Sequence, residues 1–305
     1  MLCKDIPSWI YRLLNVEESW GAELQTLEGH SGRITSVAFS PNNQLLESLC
    51  YNKTIKLWDP KTGELRQTFK GYSVVFSPNS QLLAYRFDGK IMLWDITTGK
   101  LQQILGGHYD RSAFVAFSPK SQLLASFYLY GDTIKLWDSM TGDLQRTLEH
   151  RSVRSMAFSP SSQLLATGNY SSIKLWDLTT GKLQHILEGH SYRVESVAFS
   201  PDSQLLASGS FGMVKLWDLA TGKLQLTLKG LSHLDPTTVT GELPQTLEGH
   251  SASVQSVVIS PNSQLLASGA NDKTIKLWNP TTGELQQTLM DNSDWIESVA
   301  FSPNS

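Results

Sequence analysis

Residues 249–289 read GHSASVQSVVISPNSQLLASGANDKTIKLWNPTTGELQQTL, and this stretch decides the fold. Short runs rich in β-forming residues alternate in it with Ser-Pro-Asn-Ser and Pro-Thr-Thr-Gly, which are turn-forming sequences. Near copies recur along the whole chain at a period of about 41 residues. A repeat of this length, made of strands and turns, predicts an array of small β-sheet units.

Two landmarks locate each unit. A Phe-Ser-Pro tripeptide, replaced once by Ile-Ser-Pro, ends at Pro41, Pro78, Pro119, Pro160, Pro201, Pro261 and Pro303. A Lys-Leu-Trp tripeptide or a near variant ends at Trp58, Trp94, Trp137, Trp176, Trp217 and Trp278. A Thr-Gly turn, a Leu-Gln strand and a Gly-His pair or its variant then lead into the next unit.

Each unit is predicted to contain four short strands. In the unit that begins at Gly189, these are Val194–Phe199, Leu205–Ser208, Val214–Trp217 and Leu224–Leu228. A helical stripe is absent apart from a stretch compatible with a short helix at Ile10–Val16, so a parallel βαβ sheet and a helical solenoid are both excluded. The fold class is all-β.

Four-stranded units with recurring Gly-His and Trp-Asp pairs resemble the WD-repeat family, whose sheets are the blades of a β-propeller. The resemblance covers residues 23–303. It implies that the fourth strand of each unit is the outer strand of the preceding blade. It also implies a hydrogen-bond network of His, Ser or Thr, Asp and Trp. The unit at 249–279 has the full set: His250, Ser268, Asp272 and Trp278.

The other units carry only part of this network. The unit at 29–59 has His30, Ser48 and Trp58, with Asn52 in the acidic position. The unit at 189–218 keeps a histidine, a serine and a tryptophan without an aligned aspartate. Tyr72 replaces the histidine in the second unit. Because one hydrogen bond contributes about 0.5–1.5 kcal/mol, we expect blades of unequal stability rather than another fold.

The spacing of the units is irregular near the C-terminus. Gly230 and Gly249 open successive units but lie only 19 residues apart, so the middle of that unit is missing. The last unit stops after its first strand. The sequence predicts a propeller of four-stranded blades with six complete inner-strand triplets and an incomplete seventh. We divide the chain into a leader at 1–22 and a propeller at 23–305, with a degenerate remnant at about 230–248.

Ring closure in this family pairs the N-terminal strand, here Leu24–Leu27, with the last blade. In this chain that strand would meet only residues 295–301. An open sheet edge can pair with another chain. We therefore expect instability, edge-mediated self-association or a truncated sequence, and truncation is favoured.

Composition excludes several classes of partner. The formal net charge of −3 gives no basic surface for nucleic acid or anionic lipid. Cys3 and Cys50 are too few for a disulfide framework or a four-thiolate zinc site. Neither an apolar stretch near 18 residues nor a signal peptide is present, so we predict a cytoplasmic location, with the nucleus as the alternative.

The sequence contains no recognisable catalytic motif. Five of the seven histidines occupy one repeat position, which is typical of a buried donor in each blade rather than a ring of metal sites. The recurring Thr-Gly-Lys tripeptide is always a turn between strands and not a phosphate loop. Gly-x-Ser-x-Gly and HExxH are absent. We predict a chain that is not an enzyme, with no catalytic residue, cofactor or metal.

Binding residues are sought where the units differ from one another. The variable positions follow the Gly-His pair, where a loop leads into the first strand, and should gather on one propeller face. Arg, Tyr and Trp are the residue types that anchor protein interfaces, with neutral surface drift as the alternative. The candidate binding face consists of Arg33, Thr35, Arg111, Arg154, Tyr192, Arg193, Glu195, Ser253, Gln255, Trp295 and Glu297.

The high identity between units resembles the C-terminal repeat arrays of NACHT-type NTPase sensor proteins of filamentous fungi. That resemblance implies a non-enzymatic protein-binding scaffold that serves as the recognition propeller of a sensor. Two alternatives stay open: a stand-alone adaptor in a ubiquitin ligase or chromatin complex, and a truncated product without stable function. In each functional case the expected partner is a protein.

Overall fold

The computed structural model describes residues 26–106, 113–128, 131–229, 249–290 and 294–302. All regular elements in these ranges are β-strands, arranged as six four-stranded antiparallel sheets. The predicted all-β class and the six complete inner-strand triplets are confirmed. Two compact units are present: residues 26–39 with 43–70, and residues 40–42 with the described residues from 71 onward.

The first three sheets, blades one to three, have the following strands. Blade one contains β1 Ile34–Phe39, β2 Leu46–Cys50, β3 Thr54–Trp58 and β4 Leu65–Lys70. Blade two contains β5 Val74–Phe76, β6 Leu82–Phe87, β7 Lys90–Asp95 and β8 Lys100–Leu105. Blade three contains β9 Ala113–Phe117, β10 Leu123–Tyr128, β11 Thr133–Asp138 and β12 Leu144–Glu149.

Blades four to six repeat the pattern. Blade four contains β13 Ser155–Phe158, β14 Leu164–Gly168, β15 Ser172–Asp177 and β16 Leu183–Glu188. Blade five contains β17 Ser196–Phe199, β18 Leu205–Ser210, β19 Met213–Asp218 and β20 Lys223–Lys229. Blade six contains β21 Val254–Ile259, β22 Leu266–Ala270, β23 Thr274–Trp278 and β24 Leu285–Met290.

The fourth strand of each unit belongs to that unit's own blade. In blade five, β20 pairs with β19 in an antiparallel hairpin, and the same order holds in the other five sheets. The expectation that this strand joins the preceding blade was therefore wrong. The reason is the tight turn between the two strands. Asp218 accepts a hydrogen bond from the Thr221 amide at 2.7 Å, and Gly222 has φ of 68°, a value that glycine adopts without a Cβ clash.

Aliphatic side chains fill the space between successive blades of the larger unit. One buried cluster joins Ile173, Leu175 and Leu187 of blade four to Val194 and Val197 at the start of blade five. Equivalent clusters join blades two and three, three and four, and five and six. The hydrophobic core therefore lies between the sheets, as alternating strand faces require.

Serine hydroxyls on the first strands add polar contacts between blades. The hydroxyl of Ser155 donates to the carbonyl of Val194 at 2.9 Å, and the hydroxyl of Ser196 accepts from the amide of Val257 at 3.1 Å. Glycine on the second strand lets the blades approach, because a Cβ at Gly209 would lie 2.7 Å from a methyl group of the next blade. These contacts hold adjacent inner strands side by side.

Residues 294–302 follow blade six and contain no strand within that range. The amide of Ile296 donates to the carbonyl of Ala270 at 3.1 Å, and the amide of Val299 donates to the hydroxyl of Ser256 at 3.2 Å. The same serine-to-backbone contact joins blades five and six. This segment therefore packs on blade six in the place that the first strand of a seventh blade would take.

Three predicted features lie wholly or partly outside the described residues. They are the leader at 1–22 with its helix, the degenerate remnant at about 230–248, and the closing strand at Leu24–Leu27, of which only Thr26 and Leu27 are described.

Candidate functional site

A buried trio of side chains braces the inner strands in four of the blades. In blade five, Ser208 accepts a hydrogen bond from the indole of Trp217 at 2.8 Å and contacts His190 Nε2 at 2.7 Å. Blades one and six show the same geometry. In blade four, Thr167 replaces the serine, and His150 presents Nδ1 to its hydroxyl at 2.8 Å. The histidines therefore tie the loop before each blade to its second and third strands.

Blade six contains the complete network that its sequence predicts. His250 Nε2 lies 2.7 Å from the hydroxyl of Ser268, which also accepts from Trp278 at 2.8 Å. His250 Nδ1 lies 2.9 Å from a carboxylate oxygen of Asp272. The same carboxylate accepts from the amide of Ser251 at 2.9 Å. Since the Asp272 carboxylate can only accept, Nδ1 of His250 carries the proton and donates it to Asp272.

Burial alters the proton affinities in this network. Burial, together with the charge of a nearby lysine, lowers the pKa of His190 to about 3 and that of His150 to about 4. Burial would raise the pKa of Asp272, but hydrogen bonds from His250 and Thr274 outweigh it and hold the pKa well below 3.8. His150 and His190 are therefore neutral and Asp272 ionised at neutral pH, which suits structural bracing.

Sequence differences between the units gather beside these networks, at the loops before the first strands. The loop before blade five lies against the β14–β15 turn of blade four, where the amide of Val194 donates to the carbonyl of Asn169 at 2.8 Å. The amide of Gly212 in the next turn donates to the carbonyl of Ala252 at 2.9 Å. The loops and turns of blades four to six thus form one continuous row.

Four side chains define the most distinctive part of this row, which we call the aromatic surface: Tyr170, Tyr192, Arg193 and Phe211. The guanidinium of Arg193 lies 4.9 Å from the ring centre of Tyr170. The rings of Tyr192 and Phe211 lie 5.4 Å apart at an angle of 42°. All four are exposed, with 49% of Tyr192 accessible. Aromatic side chains and arginine provide large contact area and are the residue types that most often anchor protein interfaces.

Most of the predicted binding residues of the larger unit border this row. Tyr192 and Arg193 belong to the aromatic surface itself. The remaining members are half-buried or exposed and stand at the starts of blades four to six or in residues 294–302: Arg154, Glu195, Ser253, Gln255, Trp295 and Glu297. Trp295 is the most exposed of the large apolar residues in this group, at 61%.

Three predicted residues stand elsewhere. Arg33 and Thr35 are exposed on blade one, which belongs to the smaller compact unit. The hydroxyl of Thr35 donates to the carbonyl of Leu49 at 3.1 Å. Arg111 lies outside the described residues. The structure therefore brings together the candidates from blades four to six and does not relate them to these three.

Sequence reasoning missed Tyr170 and Phe211. It compared only the loops before the first strands, whereas both residues sit at the tips of the turns between the second and third strands. A signal was present. An aromatic residue at a tight turn tip, where Gly, Asn and Asp are the usual choices, is costly to expose. In blade six the corresponding turn carries Asn271 and Asp272.

No helix in the described ranges has the length and hydropathy needed to cross a membrane. Within those same ranges, no group of three or more His, Cys, Asp or Glu side chains is placed to hold a metal ion.

Blade geometry, the His-Ser-Trp trio and the row of loops define a WD-type propeller. The family described as "WD domain, G-beta repeat" matches six stretches of the chain: residues 21–59, 63–95, 99–138, 142–177, 181–218 and 241–279. These stretches together span well over half of the sequence, so the chain belongs to the WD-repeat family, and its predicted membership is confirmed. Propellers of this family are generally non-catalytic scaffolds for protein interaction.

Similarity to individual curated proteins is local. The vegetative incompatibility protein HET-E-1 of Podospora anserina is 47% identical over 60 residues, which is 20% of this chain and 4% of that protein. Topless-related protein 1 of Arabidopsis thaliana is 40% identical over 75 residues, or 21% of this chain and 7% of that protein. The WD repeat-containing protein 89 homolog of Dictyostelium discoideum is 39% identical over 54 residues, or 18% and 15%. The chain thus spans only a small part of each relative.

Proposed function

We propose that this chain is the partner-recognition propeller of a sensor protein and that its protein partner docks on the aromatic surface. The observation that carries the proposal is the presence of two exposed, packed pairs in one row of loops, Arg193 with Tyr170 and Tyr192 with Phe211. The near-verbatim repeats, which resemble those of NACHT-type sensors, and the local similarity to a fungal vegetative incompatibility protein support the sensor role.

The chemistry of the surface favours a partner segment that combines acidic and apolar groups. The charge of Arg193 is delocalised over a planar group that pairs bidentately with carboxylates. Its stacking on Tyr170 holds that group in place before a partner arrives, which lowers the entropic cost of binding. The ring pair formed by Tyr192 and Phe211 offers an apolar platform beside it.

A nucleic-acid partner is not part of this proposal, because the net charge of −3 supplies no basic field. A cytoplasmic location belongs to the proposal, supported by a chain with only two cysteines. The leader at 1–22 and the propeller at 23–305 are proposed as the domain division.

The experiment that tests the proposal is site-specific photo-crosslinking. A photoreactive amino acid at position 192 should capture a partner protein in cells, whereas the same amino acid at Leu183, on the outer strand of blade four, should not. The captured protein is then purified and its affinity measured. Tyr192→Ala and Arg193→Ala should each weaken binding by at least about tenfold, the loss typical of an interface anchor.

Arg146→Ala is the matched control for Arg193, because Arg146 is also exposed but contacts the carbonyls of Thr179 and Thr180 away from the loops. It should leave the affinity unchanged. Equal crosslinking from positions 192 and 183, or equal affinities of the Arg193 and Arg146 variants, would contradict the proposed docking surface.

A further inference from the structure

The turns between the second and third strands of blades four, five and six come in two lengths. In each of these blades a glycine of the second strand pairs with an aliphatic residue of the third, which marks equivalent positions. Five residues lie between these partners in blade six, Ala270–Thr274, but four lie there in blade five, Ser210–Met213, and four in blade four, Asn169–Ser172. Both shorter turns carry an aromatic residue, Tyr170 in blade four and Phe211 in blade five.

The longer turn completes the hydrogen-bond network of blade six. It places a carboxylate oxygen of Asp272 2.9 Å from Nδ1 of His250, and the hydroxyl of Thr274 lies 3.2 Å from the same nitrogen. Blade one also has a turn of this length and exposes an aromatic residue in it, Tyr51. Length therefore does not decide where an aromatic residue stands. It decides whether an acceptor can stand beside the histidine.

The shorter turns leave one nitrogen of each histidine without a partner. In blade five, Nδ1 of His190 is buried and has no hydrogen-bond partner among the described residues, and the same is true of Nε2 of His150 in blade four. The two residues are only 5% and 3% exposed. A buried polar atom without a partner is destabilising, because it has lost its hydrogen bonds to water. Blades four and five therefore lack a stabilising contact that blade six has.

The shorter turn of blade five is tied to the loop that precedes blade six. Gly212 has φ of 68° and donates its amide to the carbonyl of Ala252 at 2.9 Å. Phe211 forms an isolated antiparallel bridge with Ser253. Its ring lies 5.4 Å from the ring of Tyr192, in the loop before blade five. The turn thus holds an exposed ring in a defined place.

The shorter turn of blade four is ordered in a different way and reaches the same loop. The side-chain oxygen of Asn169 accepts hydrogen bonds from the amides of Ser171 and Ser172, each at 3.0 Å. The ring centre of Tyr170 lies 4.9 Å from the guanidinium of Arg193. The tips of the two turns therefore pack against consecutive residues of the loop before blade five.

We propose that the two shorter turns are the specificity-determining elements of the aromatic surface, an inference that rests on the proposed function. Tyr170 holds the guanidinium of Arg193 in place for a carboxylate of the partner. Phe211 supplies the ring that receives the neighbouring apolar side chain of the partner. Blades four and five give up the second contact of their histidines to present these rings, and such a loss of stability is common where a site serves binding.

Exchanging one turn tests the first consequence. In the full chain, Ser210–Met213 is replaced by the blade six sequence Ala-Asn-Asp-Lys-Thr, which removes Phe211 and brings a carboxylate to His190. The amides of residues 190–217 should then exchange about fivefold more slowly with solvent deuterium, as one added hydrogen bond predicts. The matched control carries alanine in place of the aspartate of the exchanged turn and should gain no protection. Equal exchange rates in the two turn variants overturn the proposal.

A phage-displayed peptide library is the probe for specificity. The wild-type chain should select peptides in which an acidic residue adjoins a large apolar one. Both turn variants should bind these peptides at least about tenfold more weakly, and peptides selected on them should keep the acidic residue but lose the apolar preference. Phe211→Ala, which preserves the length of the turn, should have the same effect. Tyr170→Ala should instead remove the preference for the acidic residue.

The affinities separate this inference from the proposed function. A library that yields no binder contradicts the docking surface itself and this inference with it. Selected peptides that bind Tyr192→Ala and Arg193→Ala as tightly as the wild-type chain do the same. Peptides that these two variants lose, but that Tyr170→Ala, Phe211→Ala and the turn variants bind at wild-type affinity, leave the docking surface in place and overturn the role of the turns.

Discussion

Removing the Asp272 carboxylate should destabilise blade six. The loss should be larger than the loss that follows when an exposed acidic side chain is removed from any blade. The side chain of Asp272 is only 8% exposed and accepts hydrogen bonds from His250, from the Ser251 amide and from Thr274. Asp272→Ala leaves these donors without their acceptor. Water can reach the Ser251 amide, but the ring of His250 is 1% exposed and its Nδ1–H would remain unpaired in the core.

The magnitude follows from these contacts. A hydrogen bond to a charged group contributes about 1.5–3 kcal/mol, and a buried donor left without a partner costs about 1–3 kcal/mol. Because the contacts form one network, their energies do not add in full, and we expect Asp272→Ala to lower the free energy of unfolding by about 3 kcal/mol. Asp272→Asn should cost about half as much, since Asn52 in blade one still accepts from the Thr54 amide at 3.1 Å.

Urea denaturation at pH 7 measures the free energy, and hydrogen exchange of residues 249–290 shows whether the loss lies in blade six. Asp143→Ala is the control, because Asp143 is an exposed acidic turn residue; its effect should stay within about 0.5 kcal/mol. The reasoning is refuted if Asp272→Ala costs no more than Asp143→Ala, or if the loss of exchange protection is spread evenly over all blades.

Acidity provides a further check on the same variant. The pKa of Asp272 in the folded chain lies below its usual value of 3.8. Stabilisation by such a group is present above the unfolded-state pKa and is lost as pH falls toward the folded-state pKa. The stability difference between wild type and Asp272→Asn should therefore be constant near neutral pH and shrink below about pH 4.

Three other substitutions or conditions give distinct outcomes. Asn52→Asp should raise stability by about 1 kcal/mol in thermal unfolding, because His30 Nδ1 is buried without a hydrogen-bond partner and would gain a carboxylate; no gain would contradict this. Burial raises the pKa of Glu47 from 4.5 to about 7, so keeping this side chain buried costs increasing free energy as pH rises between those values, and Glu47→Ala should stabilise the chain by about 2 kcal/mol at pH 8 but little at pH 5. The folded-state pKa values of His150 and His190 are about 4 and about 3, below the ordinary 6.5. The free energy of unfolding should therefore fall as pH falls from 6 to 4, by about 1 kcal/mol per pH unit for each histidine. Equal urea midpoints at pH 7 and 5 would contradict this expectation.

The repeat made the fold predictable, because Ser-Pro and Thr-Gly turns separate β-forming runs at a fixed spacing. The chain's own copies also located the complete network of blade six. The sheet that the fourth strand joins was not predictable from the family resemblance, since the answer depends on which residue is taken as the start of a unit. The Asp218 turn decides it physically, as its short hairpin leaves β20 no route to any sheet but its own.

Single departures from the repeat were harder to interpret. Thr167 stands where four other blades have serine. His150 then binds through Nδ1 instead of Nε2, a ring orientation that the sequence alone does not reveal. Glu47 stands where the equivalent residues are buried alanines such as Ala207. Its departure is visible in the sequence, but its burial to 1% exposure depends on packing around β2. The pairing of Arg193 with Tyr170 likewise depends on two loops from different blades.

These departures separate the positions that maintain the fold from those free to carry recognition. A blade is fixed by its aliphatic faces and by the His-Ser-Trp trio, which are nearly the same in blades five and six. The loops before and within those blades meet through backbone hydrogen bonds, which any side chain permits. Tyr192 and Phe211 could therefore become aromatic without cost to the sheets. Because exposing such rings to water gains nothing for stability, we propose contact with a partner as the physical reason for their presence.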